Sequence, residues 1–385
     1  MTPVAAPDAG NSRRCPRAIA LLGLALPLPA CARSPTGETP APIRNPRILG
    51  ALGDTPGRFA YPRCIDHDAE ALWVIDKSAR VQRIDPASGK CLALFHMPEW
   101  ELGKPTGFCV APGPDKGGAW CDDLLYIADT HYHRVMIYKA PKSTPEGDPG
   151  VIEPVSHFGE YGSGPGQFYY PTDVAVLLKQ PSDMRPDRQG GLGDPATTKP
   201  SLTVGLPAHS AIDRIYVSEY GGNDRISIFD ANHSYLSSFG VEGSGNDPTK
   251  IEFNRPQSLA FRTRSDGSKE LIVVDACNHR LGRFTLDGAL IGWISSPANQ
   301  GRKPGQFNYP YGIVVLPDGT AMISEFGGAR CQRIDLDTGR SLGCWGEPGR
   351  EPGQVLAPWA VTTLNNTIYL LDSGNNRIVA FPQPR

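Results

Sequence analysis

The chain has 385 residues, a formal net charge of −2, and is rich in glycine (43) and proline (38). That length suffices for one large core, and the balance of acid and base excludes a global field that would draw the chain to nucleic acid. So much glycine and proline suits a fold of short strands and tight turns rather than long helices.

Arg13, Arg14 and Arg17 lead into a short apolar stretch, Ala18 to Pro29, too short to span a bilayer. It closes on Leu28-Pro29-Ala30-Cys31, which resembles the lipobox of bacterial lipoproteins, whose cysteine is lipidated and becomes the mature N-terminus. The resemblance implies a signal peptide over residues 1–30, a lipid on Cys31, and residence in the bacterial cell envelope. Cleavage after Ala30 without lipidation gives a soluble periplasmic protein instead, and both routes imply export. Residues 31–45 are polar, Pro-rich and without period, as a flexible tether would be.

Over residues 46–385 one pattern recurs six times: an apolar run ending in a carboxylate, a short polar turn, then an arginine opening a second apolar run. The pairs are Asp76 with Arg80, Asp129 with Arg134, Glu219 with Arg225, Asp275 with Arg280, Glu325 with Arg330 and Asp372 with Arg377. Successive copies stand about 47 to 56 residues apart except at one insertion, a period that predicts a β-propeller with one four-stranded sheet per copy. Each copy opens on a proline that begins the inner strand: Pro62, Pro105, Pro171, Pro256, Pro310 and Pro358. Long inserts at 111–123, 139–154 and 178–211 interrupt two adjacent blades, the last of them Pro/Gly-rich and without pattern, as a mobile loop would be.

The sixth copy ends after its third strand, at Phe381, whereas Arg47 to Leu52 reads as a strand with no partner upstream. The expected fold is therefore all-β: six antiparallel four-stranded blades closed into a ring by an N-terminal outer strand, which removes the exposed edges. An outer strand runs from bottom to top, so the tether is expected to leave from the bottom. Here the top is the face of the carboxylate–arginine turns.

GPGQFYYPTDVAV (Gly164 to Val176), PGQFNYPYGIVV (Pro304 to Val315) and DSGNNRIVAF (Asp372 to Phe381) resemble the repeats of the NHL family of propellers. That family includes RNA- and protein-binding modules and a six-bladed peptide-amidating lyase whose zinc-binding histidines follow blade-opening prolines. Here those places hold Arg63, Gln257 and other non-histidine residues, so the zinc site is not carried over.

Six carboxylates invite a cation-binding ring, but each recurs with its own arginine across a turn, which is the pattern of a paired, hydrogen-bonded corner. His131 and His133 form a His-x-His pair that lacks a converging third zinc ligand. The residues after the prolines vary while the scaffold repeats. Arg63, Thr172, Asp173, Gln257, Tyr311 and Trp359 among them are the candidate ligand-binding residues at the mouth of the channel. Asp173 stands where other blades carry small residues, and Tyr311 and Trp359 form either an apolar wall for a sugar or peptide or a plug.

Beyond Cys15 and Cys31 seven cysteines remain, an odd number with no C-x-x-C pair. Cys331 and Cys344 flank the turn at Asp337 to Gly339 and are expected to bridge. Cys109 and Cys121 are a second candidate pair.

No Ser-His-Asp order or phosphate loop is present, and no catalytic residue, metal or cofactor is expected. The reading is a monomeric recognition propeller, held at the membrane by its lipid. It binds an envelope protein, peptide or glycan through its top rim, without nucleic acid. The alternative is a metal-dependent enzyme of lyase or lactonase type with its site in the central channel.

Overall fold

The computed structural model describes residues 40–99, 101, 104–112, 123–144, 150–179, 211–247 and 249–384. Within them six four-stranded antiparallel sheets follow one another as the blades of a ring. Blade 1 comprises Pro62–His67, Leu72–Asp76, Arg80–Ile84 and Cys91–His96. Blade 2 comprises Gly107–Pro112, Asp123–Asp129, Arg134–Lys139 and Ser156–Phe158. Blade 3 comprises Tyr170–Leu178, Ile212–Tyr220, Arg225–Asp230 and Tyr235–Phe239. Blade 4 comprises Pro256–Thr263, Lys269–Asp275, Arg280–Phe284 and Leu290–Ile294. Blade 5 comprises Pro310–Val315, Ala321–Glu325, Arg330–Ile334 and Ser341–Trp345. Blade 6 comprises Ala360–Leu364, Thr367–Asp372 and Arg377–Pro382, with Arg47–Leu49 as its outer strand.

The ring closes as the missing strand requires. Arg47 pairs with Ala380, Ile48 with Val379 and Leu49 with Ile378, so the first strand seals the last blade. Gly50 follows that strand as Gly159, Gly240 and Gly346 follow other outer strands, each with a positive φ (78°, 91°, 96° and 95°). A side chain there would strike the residue that enters the next blade: Phe59, Phe168, Phe253 or Val355. Those residues are fully buried, and each lies in a parallel bridge between an outer strand's exit and the following inner strand. The recurrent Phe-Gly or Trp-Gly thus marks a backbone bend made to admit the next blade's apolar plug.

The carboxylate and arginine of each copy form the corner expected. In blade 5 Arg330 and Glu325 are both fully buried, with Arg330 Nε donating to Glu325 Oε1 at 2.7 Å. The carboxylate also accepts from the backbone of the entering segment: Asn308 N to Glu325 Oε2 at 3.0 Å, with Ala60 on Asp76, Tyr169 on Glu219, Asn254 on Asp275 and Leu356 on Asp372. The guanidinium collects carbonyls of the same segment. Arg225 donates to Ser163, Gly164 and Gln167, and Arg377 to Arg350, Glu351 and Gln354. One ion pair therefore fastens a strand corner to the loop that delivers the blade.

Three expectations meet the structure differently. The tether does not run free to residue 45. Ala41 N donates to Cys344 O at 2.8 Å and Gly346 N to Ala41 O at 3.1 Å, and Ile43 is buried beside Val355, Met322 and Phe381. A single apolar residue in a polar run anchors this segment. Ala41 bridges Trp345 in parallel, and Trp345 pairs with Cys331 next to the Arg330 corner, so this segment touches the ring level with the top.

The Cys331–Cys344 bridge is not formed, and Cys331 is a buried free thiol. Cys331 faces Trp345 while Cys344 faces Gln332, a one-residue offset that turns the two side chains to opposite faces of the sheet. A bulge between Arg333 and Ile334 breaks the symmetry about the turn that the spacing suggests. Cys109 is likewise a free thiol, while Cys121 lies outside the described residues. Also outside them are the expected signal peptide, Cys31, and most of the 111–123 and 178–211 inserts.

Replacing Gly240 by alanine combines a disfavoured φ with a clash against the Phe253 ring. The expected outcome is a loss of about 2 kcal/mol or more in denaturant unfolding. An unchanged midpoint would contradict the role given to the bend.

Candidate functional site at the mouth of the central channel

The inner strands enclose a cavity of about 180 Å³ on the ring axis. Its wall includes Ile65, Val174, Leu259, Ile313 and Val361, interrupted by Cys64, Asp66, Cys109 and Asp173. Asp173 accepts from Leu259 N at 2.9 Å and Ser258 Oγ at 3.0 Å, binding blade 3 to blade 4. Those bonds favour the carboxylate, yet burial dominates and pushes Asp173 up to about 7. Room for it comes from blade 2. A side chain at Gly107 would collide with Asp173 Oδ1 and with the Thr172 carbonyl. Asp66 is raised too, again mainly by burial, and accepts from Val110 N at 2.8 Å.

The other post-proline residues divide into closure and mouth. Thr172 is fully buried, with its hydroxyl 2.6 Å from Pro256 O and 2.8 Å from Ser218 Oγ, so it joins blades and offers nothing to a ligand. Tyr311 and Trp359 are each only 6% exposed. Their rings meet edge to face at 4.9 Å, and Tyr311 stacks on Phe326 at 4.8 Å. Of the two roles open to them, the plug is the one adopted. Gln257 is buried and accepts from Arg255 Nε at 3.1 Å, which makes it a support for that arginine.

What faces outward is a rim of half-buried groups over the plug: Tyr61, Arg63, Tyr220, Arg255 and Phe326. The Arg63 guanidinium lies 4.9 Å from the Trp359 ring centre and 6.0 Å from that of Tyr61. Arg255 lies 4.9 Å from the Tyr220 ring and 5.5 Å from Tyr311. Both arginines thus lie over aromatic rings of the mouth. Arg255 and Tyr61 are pre-proline residues at positive φ (60° and 52°), a geometry the variable post-proline list does not reveal.

The histidines are latches. His279 Nδ1 accepts from Tyr309 N at 3.1 Å, joining the corner of blade 4 to the start of blade 5. Asn376 does the same for Tyr61 N at 2.7 Å, and Asp224 for Arg255 N at 2.5 Å. All three immediately precede a repeat arginine, a shared position from which the latch is legible. Burial pushes His279 down to about 4, consistent with a neutral ring whose Nδ1 must accept. In the His-x-His pair, His131 Nδ1 takes Lys104 N at 3.3 Å and His133 Nδ1 meets Tyr169 O, so both rings hold backbone. Among the described residues no three His, Cys, Asp or Glu side chains gather as a metal-ligand group.

The six sheets define an all-β, six-bladed propeller, and part of the chain is similar to NHL repeat-containing proteins. No family model matches the chain. Among curated proteins it is similar to NHL repeat-containing protein 3 of Mus musculus, 29% identical over 121 residues, and to that of Homo sapiens, 27% identical over 121 residues. Each match covers 31% of this chain and 32% of the relative, so the similarity spans about a third of either protein. Among solved structures, a Bacteroides thetaiotaomicron protein of unknown function aligns with TM-score 0.55 and 13% identity, over 88% of this chain and 76% of that one. That likeness is one of fold.

Two opposite pH dependences follow. Asp173 holds its proton more tightly folded than unfolded, so its stabilising contribution is full below about pH 4 and is lost as pH rises through about 7. His279 is the reverse: its contribution is present above about 6.5 and is lost as pH falls through about 4. Between about pH 4 and 6.5 the two oppose each other, so each is read as the difference between variant and wild type. Asp173→Asn is expected to remove the fall in stability as pH rises from about 4 to 7, and His279→Asn, which keeps an acceptor as at Asn376, the fall as pH drops from about 6.5 to 4. Urea unfolding across pH 4–8 checks both, each variant's slope differing from the wild type's by up to about 1.4 kcal/mol per pH unit. Unaltered slopes in the variants would contradict the assignments.

Proposed function

We propose that the protein is an exported, lipid-anchored recognition propeller that binds a protein, peptide or glycan of the cell envelope across its top rim. The observation that carries this reading is the division of labour among side chains. The six carboxylate–arginine corners are consumed internally, whereas the side chains of Tyr61, Arg63, Tyr220, Arg255 and Phe326 gather half-buried around a plugged channel. Rigid aromatics beside arginines combine large contact area with low ordering cost, the composition of binding hot spots. The plug beneath them favours a ligand lying across the mouth over one descending the axis. The lipobox-like Leu28 to Cys31 supports the anchor, and the docked segment at Ala41 to Ile43 passes the ring's perimeter level with the top.

Two measurements test the reading. Mature protein on a resin is incubated with envelope extract beside Tyr220→Ala and Phe326→Ala variants that keep the wild-type thermal transition. A species retained by the wild type and reduced at least about tenfold by either variant is expected, as for loss of an aromatic hot spot. Retention equal in all three would overturn the rim assignment. Fractionation of cells carrying the wild type or Cys31→Ala tests the anchor. The wild type is expected with membranes and the variant in the soluble fraction, and a soluble wild type would remove the anchor.

A further inference from the structure

We propose that the mouth carries an oxyanion site, in which Arg63 and Arg255 together take a carboxylate, sulfate or phosphate group borne by the ligand. This deepens the rim reading and rests on it. Every arginine of the repeated corners has a carboxylate partner within 3.0 Å. Arg63 has none among the described residues. Its guanidinium makes no hydrogen bond there, and its Nε is buried without an acceptor. Trp359 Nε1, in the ring on which Arg63 lies, is a second buried donor without an acceptor. Two unpaired donors in one stacked pair are a standing cost to the fold, and the group that relieves it is an acceptor, best a charged one.

The surroundings share that sign. Arg63 lies on Trp359 and Tyr61, Arg255 on Tyr311 and Tyr220, and Tyr311 touches Trp359, so one aromatic patch carries both guanidiniums. Arg63 is pushed below its ordinary value by burial, and the like charge of Arg255 adds to the effect. His131, between the same blades, is lowered first by burial and then by Arg63, His133, Lys104 and Arg255, all of them basic. The Asp224 carboxylate is turned to backbone, accepting from Gly221 N, Gly222 N and Arg255 N. Gln257 Oε1 accepts from Arg255 Nε at 3.1 Å and so helps to hold that fork on its rings. Guanidinium forks are the side-chain donors best suited to an oxyanion.

The test is calorimetric titration of the mature protein at about 10 mM ionic strength, where screening is weak. Sodium acetate, sulfate and phosphate are the three probes, and the one bound most tightly identifies the group. Saturable one-site binding is expected for at least one probe. Arg63→Gln and Arg255→Gln are each expected to weaken it at least about tenfold, the loss of one charge-assisted contact. Arg63→Lys should weaken it less, and Arg350→Gln, at an exposed arginine of a corner loop, should leave it unchanged. Thermal transitions matching the wild type certify the fold. No saturable binding by the wild type, or wild-type binding by both glutamine variants, would overturn the site. Oxyanion binding with no extract ligand retained would leave this site standing and remove the rim reading. A ligand retained equally by both glutamine variants would do the reverse.

Discussion

The structure depends on one interaction, a carboxylate and an arginine buried together at the corner between second and third strands. Taking both charges out of water is expensive, and the pair repays that only when every remaining donor and acceptor is met. Here they are met. The carboxylate takes a backbone N–H of the entering segment, and the guanidinium takes carbonyls from the same segment. The corner of one blade is thus also the fastening of the loop from its neighbour. Removing either partner would strand a buried charge, at a cost on the order of 3–5 kcal/mol.

A ring of such corners needs its ends joined and its bends cleared. The first strand joins the ends at Leu49 and Ile378. The glycines after the outer strands clear the bends for Phe59, Phe168, Phe253 and Val355. Between blades, three of the residues ahead of the repeat arginines accept a hydrogen bond from the neighbouring blade's backbone, and Asn376, Asp224 and His279 do that one job with three chemistries. The polar groups of the corners are thereby satisfied within the scaffold.

Much of this was legible in the sequence because it repeats. The carboxylate–arginine spacing, the blade-opening prolines and the strand missing after Phe381 predict six blades and their closure without reference to contacts. What was not legible lies where a single residue decides. The bulge at Arg333 and Ile334 shifts Cys331 against Cys344 by one place and undoes the bridge that turn symmetry suggested. Ile43 alone docks a segment whose composition reads as tether. At the mouth, the position after proline gathers Arg63, Gln257, Tyr311 and Trp359 but does not rank them. Burial makes Thr172 and the Tyr311–Trp359 pair structural, and stacking makes Arg63 and the unlooked-for Arg255 the outward charge.

The central claim is that the corners, repeated six times, are what hold the ring together. Native-state hydrogen exchange at the amides of Ala60, Tyr169, Asn254, Asn308 and Leu356 tests it most directly, since each donates to a corner carboxylate from within a loop. Exchange only through global unfolding, as slow as the core strands, is the result the account predicts. Exchange at the rate of open loop amides, with the strands still protected, would contradict it.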